Sequence, residues 1–204
     1  MAAPYIYTPR FVRNPDFTKA VLTGSIQWER RDDAPRCEYY CNDFKAPYTY
    51  GKGRGRRTYE PHPYPPALME IRKELEKETG YVYEACFLNR YLNQSDHLGW
   101  HADDSPEMDD ARPIATISLG VARQIQFKPK DDKRPLEGSL LEEMGTKNLV
   151  ESVMLENGSL CLMLPGMQDS WYHRIPKASF QCGERVSLVF RGYVGTPGEV
   201  LERF

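Results

Sequence analysis

Arg185-Val186-Ser187-Leu188-Val189-Phe190-Arg191 alternates polar and apolar side chains over one strand length. Side chains two apart in a strand share a face, so Arg185, Ser187, Val189 and Arg191 lie on one side and Val186, Leu188 and Phe190 on the other. The second set reads as a core face. The first carries two guanidiniums, which meet water and surface acids if the face is exposed. If it is covered they need partners, because an unpaired interior charge costs several kcal/mol. A planar guanidinium suits forked hydrogen bonding to a carboxylate, and a dicarboxylic ligand would satisfy both.

The rest of the chain surrounds this strand with others. Strands are expected over 81–92, 114–127, 151–155, 159–164 and 185–193, with Glu156-Asn157-Gly158 as the turn between the third and fourth. The period of two places Asn89 and Tyr91 on one face of the first. Pro65-Pro66 opens and Gly80 closes a segment with Leu68, Ile71 and Leu75 at helical spacing, which predicts an amphipathic helix packed on the sheet. Residues 128–147 are charged, carry Pro135, Gly138 and Gly145, and read as a surface excursion. Many short strands and few helices predict a mainly β fold with flanking helices, a double-sheet jelly roll or double-stranded β-helix.

His101-Ala102-Asp103-Asp104 lies between two of these strands. In an extended segment His101 and Asp103 point the same way, so an imidazole and a carboxylate can share an ion. A third ligand has to come from elsewhere. His62 sits among Pro61, Pro63 and Pro65, and His97 lies just before Gly99, which leaves His173 as the best candidate. Two histidines and one carboxylate leave open positions, as non-haem Fe(II) needs for a cosubstrate and dioxygen. A lone His-x-Asp is a short motif that arises often by chance. His97 and His101 also have the i, i+4 spacing of a zinc pair; Gly99 between them and the extended reading oppose it, and His97 is read as a loop residue or a neighbour of the ligands.

Taken together, these residues resemble the AlkB-like Fe(II)- and 2-oxoglutarate-dependent dioxygenases that repair alkylated nucleic acid bases. The resemblance rests on Asn89-Arg90-Tyr91, His101-x-Asp103-Asp104, Pro113 to Gly120, Gly158-Ser159-Leu160, Trp171-Tyr172-His173 and Arg185-x5-Arg191, in family order and spacing. It covers roughly residues 35–193 and is nearest the branch acting on 1-methyladenine and 3-methylcytosine. It implies that His101, Asp103 and His173 hold iron and are the catalytic centre. It also implies that Asn89, Tyr91, Arg185, Ser187 and Arg191 hold 2-oxoglutarate, and that Asp104 contacts the damaged base. The reaction implied is oxidative demethylation with O2, releasing succinate, CO2 and formaldehyde. Ser187 stands where the family usually has Asn and reaches less far; Ser105 stands where near relatives have an acid.

The net charge of -2 does not suggest a nucleic-acid protein, but the charge is unevenly spread. Residues 1–57 carry 11 Lys and Arg against 6 Asp and Glu, and with 27 and 29 in the whole chain the remainder holds 16 against 23. A locally basic region can bind phosphates although the whole is acidic. That region ends in Lys52-Gly53-Arg54-Gly55-Arg56-Arg57 and is flanked by Tyr39, Tyr40, Phe44, Tyr48, Tyr50 and Tyr59. Base–aromatic stacking is worth about 1–3 kcal/mol per base, comparable with the cost of extruding one. Aromatics also favour strands, so most of these tyrosines are read as structural. By resemblance, Tyr48 and Tyr50 lie where relatives carry a lid over the lesion, and with Lys52, Arg54, Arg56 and Arg57 they are the expected substrate contacts.

The expected organisation is an N-terminal extension (1–34), a basic, Tyr-rich lid (35–65), a catalytic core (66–194) and a tail (195–204). Five cysteines without CxxC spacing favour a reducing, intracellular setting, cytoplasmic or nuclear. No signal peptide or membrane span is legible. Alkylated DNA or RNA is the expected partner, and the protein is expected to act as a monomer. Alternatives are an RNA or N6-methyladenine demethylase on the same iron site, or a nucleic-acid binding module without turnover.

Overall fold

The computed structural model describes residues 2–50, 56–130 and 150–194. In chain order its elements are β1 (Tyr5–Thr8), α1 (Pro15–Ser25), β2 (Glu29–Arg30), β3 (Cys37–Asn42), β4 (Tyr48–Tyr50), β5 (Arg57–Tyr59), α2 (Pro66–Thr79) and β6 (Ala85–Tyr91). There follow β7 (Leu98–His101), β8 (Ile114–Gly120), β9 (Arg123–Pro129), β10 (Glu151–Leu155), β11 (Leu160–Met163), α3 (Met167–Ser170), β12 (Trp171–Ile175) and β13 (Arg185–Arg191).

The strands form a seven-stranded sheet in the order β1-β11-β8-β13-β6-β3-β2, a four-stranded sheet in the order β10-β9-β12-β7, and the hairpin β4-β5. This is the double-sheet jelly roll expected from the sequence. β13 lies in the middle of the larger sheet, with Ser187 opposite Asn89 of β6 and opposite Ser118 of β8. Its alternation sorts the two faces. Val186, Leu188 and Phe190 are fully buried against Leu22 of α1 and Leu68, Ile71 and Leu75 of α2. Ser187, Val189 and Arg191 instead line a cavity shared with Ile125 and His173 of the smaller sheet. Each fully buried leucine of this helix layer contributes about 1.5–3 kcal/mol, so α2 holds β13 in place from behind.

α2 begins and ends where its sequence dictates. Proline occupies its first turn, where the missing N–H has no intrahelical partner to lose. Gly80 closes it at φ 74°, donating its N–H to the Glu76 carbonyl at 2.8 Å, a left-handed conformation that glycine adopts without steric cost.

Several expected boundaries change. The single strand expected over 114–127 is two strands, β8 and β9, in different sheets. The chain breaks at Gly120, which has φ 94° and lies so close to the Glu184 carbonyl that a β-carbon would stand 2.4 Å from its oxygen. The strand expected over 81–92 shortens to β6, leaving Tyr81 and Val82 exposed. Glu156-Asn157-Gly158 does not close a hairpin: β10 pairs with β9, whereas β11 pairs with β8 and β1, so the turn carries the chain from one sheet to the other. Residues 1–34, expected as an extension, supply β1 and β2 at the two edges of the larger sheet and α1 on its back. Within 35–65, β3 is an inner strand of that sheet and only the following hairpin stands apart. The excursion expected over 128–147 lies outside the described residues from 131 onward, as does the tail. All five cysteines are free thiols. No helix among the described residues is long and apolar enough to cross a membrane.

Candidate active site

β7 and β12 are antiparallel neighbours, and His101 is the cross-strand partner of His173. Their ring centroids are 4.1 Å apart. Just past the end of β7, Asp103 places Oδ1 3.7 Å from His101 Nε2 and Oδ2 3.6 Å from His173 Nε2. The three residues can each offer a ligand atom within 4.8 Å of the others. His101 Nδ1 lies 2.9 Å from the Gly99 carbonyl, to which its N–H donates, leaving the Nε2 lone pair facing the cluster. No comparable acceptor holds the other nitrogen of His173 among the described residues.

The electrostatics favour metal-ready ligands. Burial, and then the neighbouring His173, push the His101 imidazole down to about 3, so it is neutral at pH 7. Burial would raise the Asp103 carboxyl, but Arg191 first, then His173 and His101, hold it well below the usual carboxylate range. Arg191 Nη2 is 2.5 Å from Asp103 Oδ1. A neutral His101 imidazole, the His173 imidazole beside it and one ionised carboxylate suit a divalent transition metal with positions left open.

Two chambers meet at this cluster and share Asn89, Leu98, His101, Asp103 and Arg191 in their walls. The first adds Tyr91, Thr116, Ile125, His173, Ile175 and Ser187. Beside Tyr91 and Ser187 lies Arg185, 0% exposed. Its Nη2 donates to Ser118 Oγ at 2.8 Å and Ser187 Oγ at 3.3 Å, and its guanidinium stacks over the Tyr91 ring at 5.2 Å. Among the described residues Nε and Nη1 have no partner, and neither does Nε of Arg191. Burial lowers the Arg185 guanidinium to about 10, which still leaves it charged at neutral pH. A buried cation with two free donors and no carboxylate partner is costly, and those donors match a carboxylate fork. The donor set fits a dicarboxylate beside a metal ion.

The second chamber adds Arg36, Tyr48, Tyr50, Tyr59 and Phe87. Tyr48 is 2% exposed, and its hydroxyl meets Ser105 Oγ at 2.9 Å and accepts from Arg191 Nη1 at 3.2 Å. Tyr50 stands edge-on to the His101 ring at 6.2 Å. Both tyrosines of β4 therefore reach the cluster.

Other expected contacts are placed differently. Asn89 Oδ1 accepts from Arg36 Nε at 2.6 Å, so its amide oxygen is already engaged. The Asp104 carboxylate is 49% exposed and pairs with Lys130 at 3.0 Å; it lines neither chamber. Arg57 is drawn to Asp33 and to buried Glu38, and Arg56 is exposed. Lys52 and Arg54 lie outside the described residues. Of the basic residues in this segment, Arg30 pairs with Asp96, Arg31 with Glu29 and Arg36 with Glu38, and only the first of these draws on an acid outside residues 1–57. Three residues had no signal in the sequence. Arg36 and Phe87 enter the chamber wall, and Gln168 of α3 accepts the Asp103 N–H on Oε1 at 3.0 Å. A pattern of spacing cannot show a long-range contact of this kind.

Residues 8–191 match the model of the 2OG-Fe(II) oxygenase superfamily. The chain is 30% identical over 191 residues to human alpha-ketoglutarate-dependent dioxygenase alkB homolog 3, covering 88% of this chain and 62% of that protein. It is 32% identical over 208 residues to the rat protein of the same name, covering 94% and 66%. It is also 32% identical over 166 residues to mouse DNA oxidative demethylase ALKBH2, covering 79% and 63%. The chain thus spans less than two thirds of the length of these curated relatives. The family match runs from β1 to the end of β13 and encloses the His-Asp-His cluster and both arginines, and on that ground the chain belongs to the 2OG-Fe(II) oxygenase superfamily, on its AlkB-like side.

Proposed function

We propose that the protein is an Fe(II)- and 2-oxoglutarate-dependent dioxygenase that oxidatively demethylates 1-methyladenine and 3-methylcytosine in nucleic acid. The observation that carries this reading is the buried Arg185, with two unpartnered donors, beside a cluster of two histidines and a carboxylate. The name of the mouse relative, DNA oxidative demethylase, supports the substrate class.

His101, Asp103 and His173 would hold the iron. Arg185, with Ser187 and Tyr91, would take one carboxylate of 2-oxoglutarate, and Arg191 keeps Asp103 ionised for the metal. When bound, iron with 2-oxoglutarate and dioxygen supplies the oxidation that turns an N-methyl group into an N-hydroxymethyl adduct, which releases formaldehyde; succinate and CO2 are the coproducts. The protein's part is orientation and exclusion of water. Tyr48 and Tyr50 give the second chamber flat aromatic walls, suited to a base removed from its stack. Asn89 lies between the two chambers and can orient groups on either side.

The test is anaerobic reconstitution with Fe(II), then incubation with 2-oxoglutarate, ascorbate, air and oligonucleotides carrying either lesion, read by mass. Loss of one methyl group that requires both iron and 2-oxoglutarate is the expected result. Succinate without methyl loss would discard the substrate and keep the oxygenase. Neither product from metal-loaded protein would leave a binding module.

A further inference from the structure

The strands that carry the histidines carry a second set of side chains on their opposite face. β9 and β12 alternate strictly, with Ile125, Phe127, His173 and Ile175 buried and Gln126, Lys128, Tyr172 and Arg174 partly exposed. Across the strands, Lys128 stands opposite Tyr172 and Gln126 opposite Arg174. Trp100 of β7 completes the outward row: the Arg174 guanidinium lies 4.5 Å and the Lys128 ammonium 4.9 Å from its ring centre. Lys128 and Lys130 lie 5.7 Å and 5.2 Å from the Tyr172 ring.

The rings hold the charged ends of these cations in place by cation–π contact. Arg174 is further aligned by donating from Nε to Gln126 Oε1 at 2.7 Å. Among the described residues, the one carboxylate paired with this set is Asp104, on Lys130. Lys130 sits at an acidic group, on Asp104 and near Asp110, whereas Lys128 and Arg174 have no acid partner among the described residues and reverse locally the balance of residues 58–204, which is acidic overall. The face is complementary to a polyanion.

Its position says which polyanion. β7 is the edge of the four-stranded sheet. On its inner side Leu98 and His101 wall the tyrosine-lined chamber; on its outer side Trp100 starts the cationic row. A chain that leaves the chamber past β7 therefore arrives on Lys128, Lys130 and Arg174 after turning round the edge of one sheet. Duplex DNA has a persistence length of about 150 bp and makes such a turn only at a cost of several kcal/mol, whereas an unpaired strand makes it freely.

We propose that the outer face of the β10-β9-β12-β7 sheet binds the phosphates of a single-stranded polynucleotide flanking the base held in the chamber. This rests on the proposed nucleic-acid substrate. It implies that substrates long enough to round β7 are held more tightly than short ones.

The experiment compares the full chain with Lys128→Glu/Arg174→Glu, loaded with Mn(II) and 2-oxoglutarate. Binding of a fluorescent lesion-bearing trinucleotide, a single-stranded 15-mer and the corresponding duplex is titrated over a range of salt. The expected result is a loss of about tenfold or more on the 15-mer and less than threefold on the trinucleotide. The salt slope on the 15-mer falls by about 1.4, since each phosphate contact contributes about 0.7 in single strands. Lys128→Gln/Arg174→Gln repeats the test without reversed charge, and an unchanged melting temperature certifies the fold of either variant. Equal affinity and slope in variant and parent overturn the proposal, and an equal loss on duplex overturns its single-strand assignment. Length-dependent binding that needs Lys128 and Arg174, without any demethylation by the parent, would sink the demethylase reading and leave this one standing. A parent that binds no oligonucleotide sinks both.

Discussion

Arg191 Nη2 rests 2.5 Å from Asp103 Oδ1, and both side chains are almost wholly buried. They come from β13 in one sheet and the segment after β7 in the other, so the pair ties the sheets together at the His-Asp-His cluster. Arg191→Met removes one partner of a buried ion pair and should cost the metal-free protein about 3–5 kcal/mol, read by denaturant unfolding. The sign of its pH dependence follows from the depressed Asp103 pKa. A carboxylate held below its unfolded value of about 3.9 contributes stability that is present above that pH and is lost as pH falls through the folded value. The parent should therefore lose stability on acidification below about pH 4, and Arg191→Met should show a shallower acid limb. Parallel acid limbs would mean that the pair does not set the Asp103 ionisation.

Gln168 holds the same carboxylate from the backbone side. Its Oε1 accepts the Asp103 N–H, and α3 leads directly into β12 and His173. Gln168→Leu keeps the bulk, removes the acceptor and leaves a buried N–H unsatisfied, a cost of about 1–3 kcal/mol. Co(II) affinity should fall about tenfold, the equivalent of about 1.4 kcal/mol, and Gln168→Glu, which retains an acceptor oxygen, should recover part of it. Titration of the Co(II) absorption bands decides; parent-like affinity in Gln168→Leu would dismiss a positioning role.

How far this was legible depends on whether a feature is local. β13 and α2 could be read because a period of two in Arg185–Arg191 and the spacing of Leu68, Ile71 and Leu75 state which side is buried. The break at Gly120 could not, because it depends on the Glu184 carbonyl packing against it from far along the chain. Charges were the least legible. Arg57 and Asp104 have sequence contexts that suit a substrate contact, yet each lies nearest to an opposite charge elsewhere, Glu38 with Asp33 and Lys130 respectively. Gln168 has no pattern at all, since its role is a single contact across 65 residues.

The thiols give an independent check of the fold. Cys37, Cys41, Cys86 and Cys161 are buried and Cys182 is partly exposed. Burial pushes the Cys161 thiol up to about 12 and raises Cys41 and Cys86 as well, so almost no thiolate exists there at pH 8. Ellman's reagent should titrate one thiol rapidly in the native protein, lost in Cys182→Ser, and all five in denaturant. Two or more rapid native thiols would contradict the packing of β3, β6 and β11.

Arg185 should trade stability for ligand. It is fully buried with two unpartnered donors, so the metal-free protein bears the cost of a charge that lacks a carboxylate. Replacing buried charged groups by apolar ones of similar volume is often neutral or stabilising, by about 1–4 kcal/mol. Arg185→Met should accordingly leave the melting temperature of the metal-free protein unchanged or raised. The parent, loaded with Mn(II) to prevent turnover, should gain about 2.7 kcal/mol from 2-oxoglutarate at roughly a hundred times its Kd, and the variant should gain almost nothing. Calorimetry with and without 2-oxoglutarate reads both effects together. A variant that is destabilised without ligand yet still stabilised by 2-oxoglutarate would make Arg185 a structural residue and remove the observation on which the cosubstrate assignment rests.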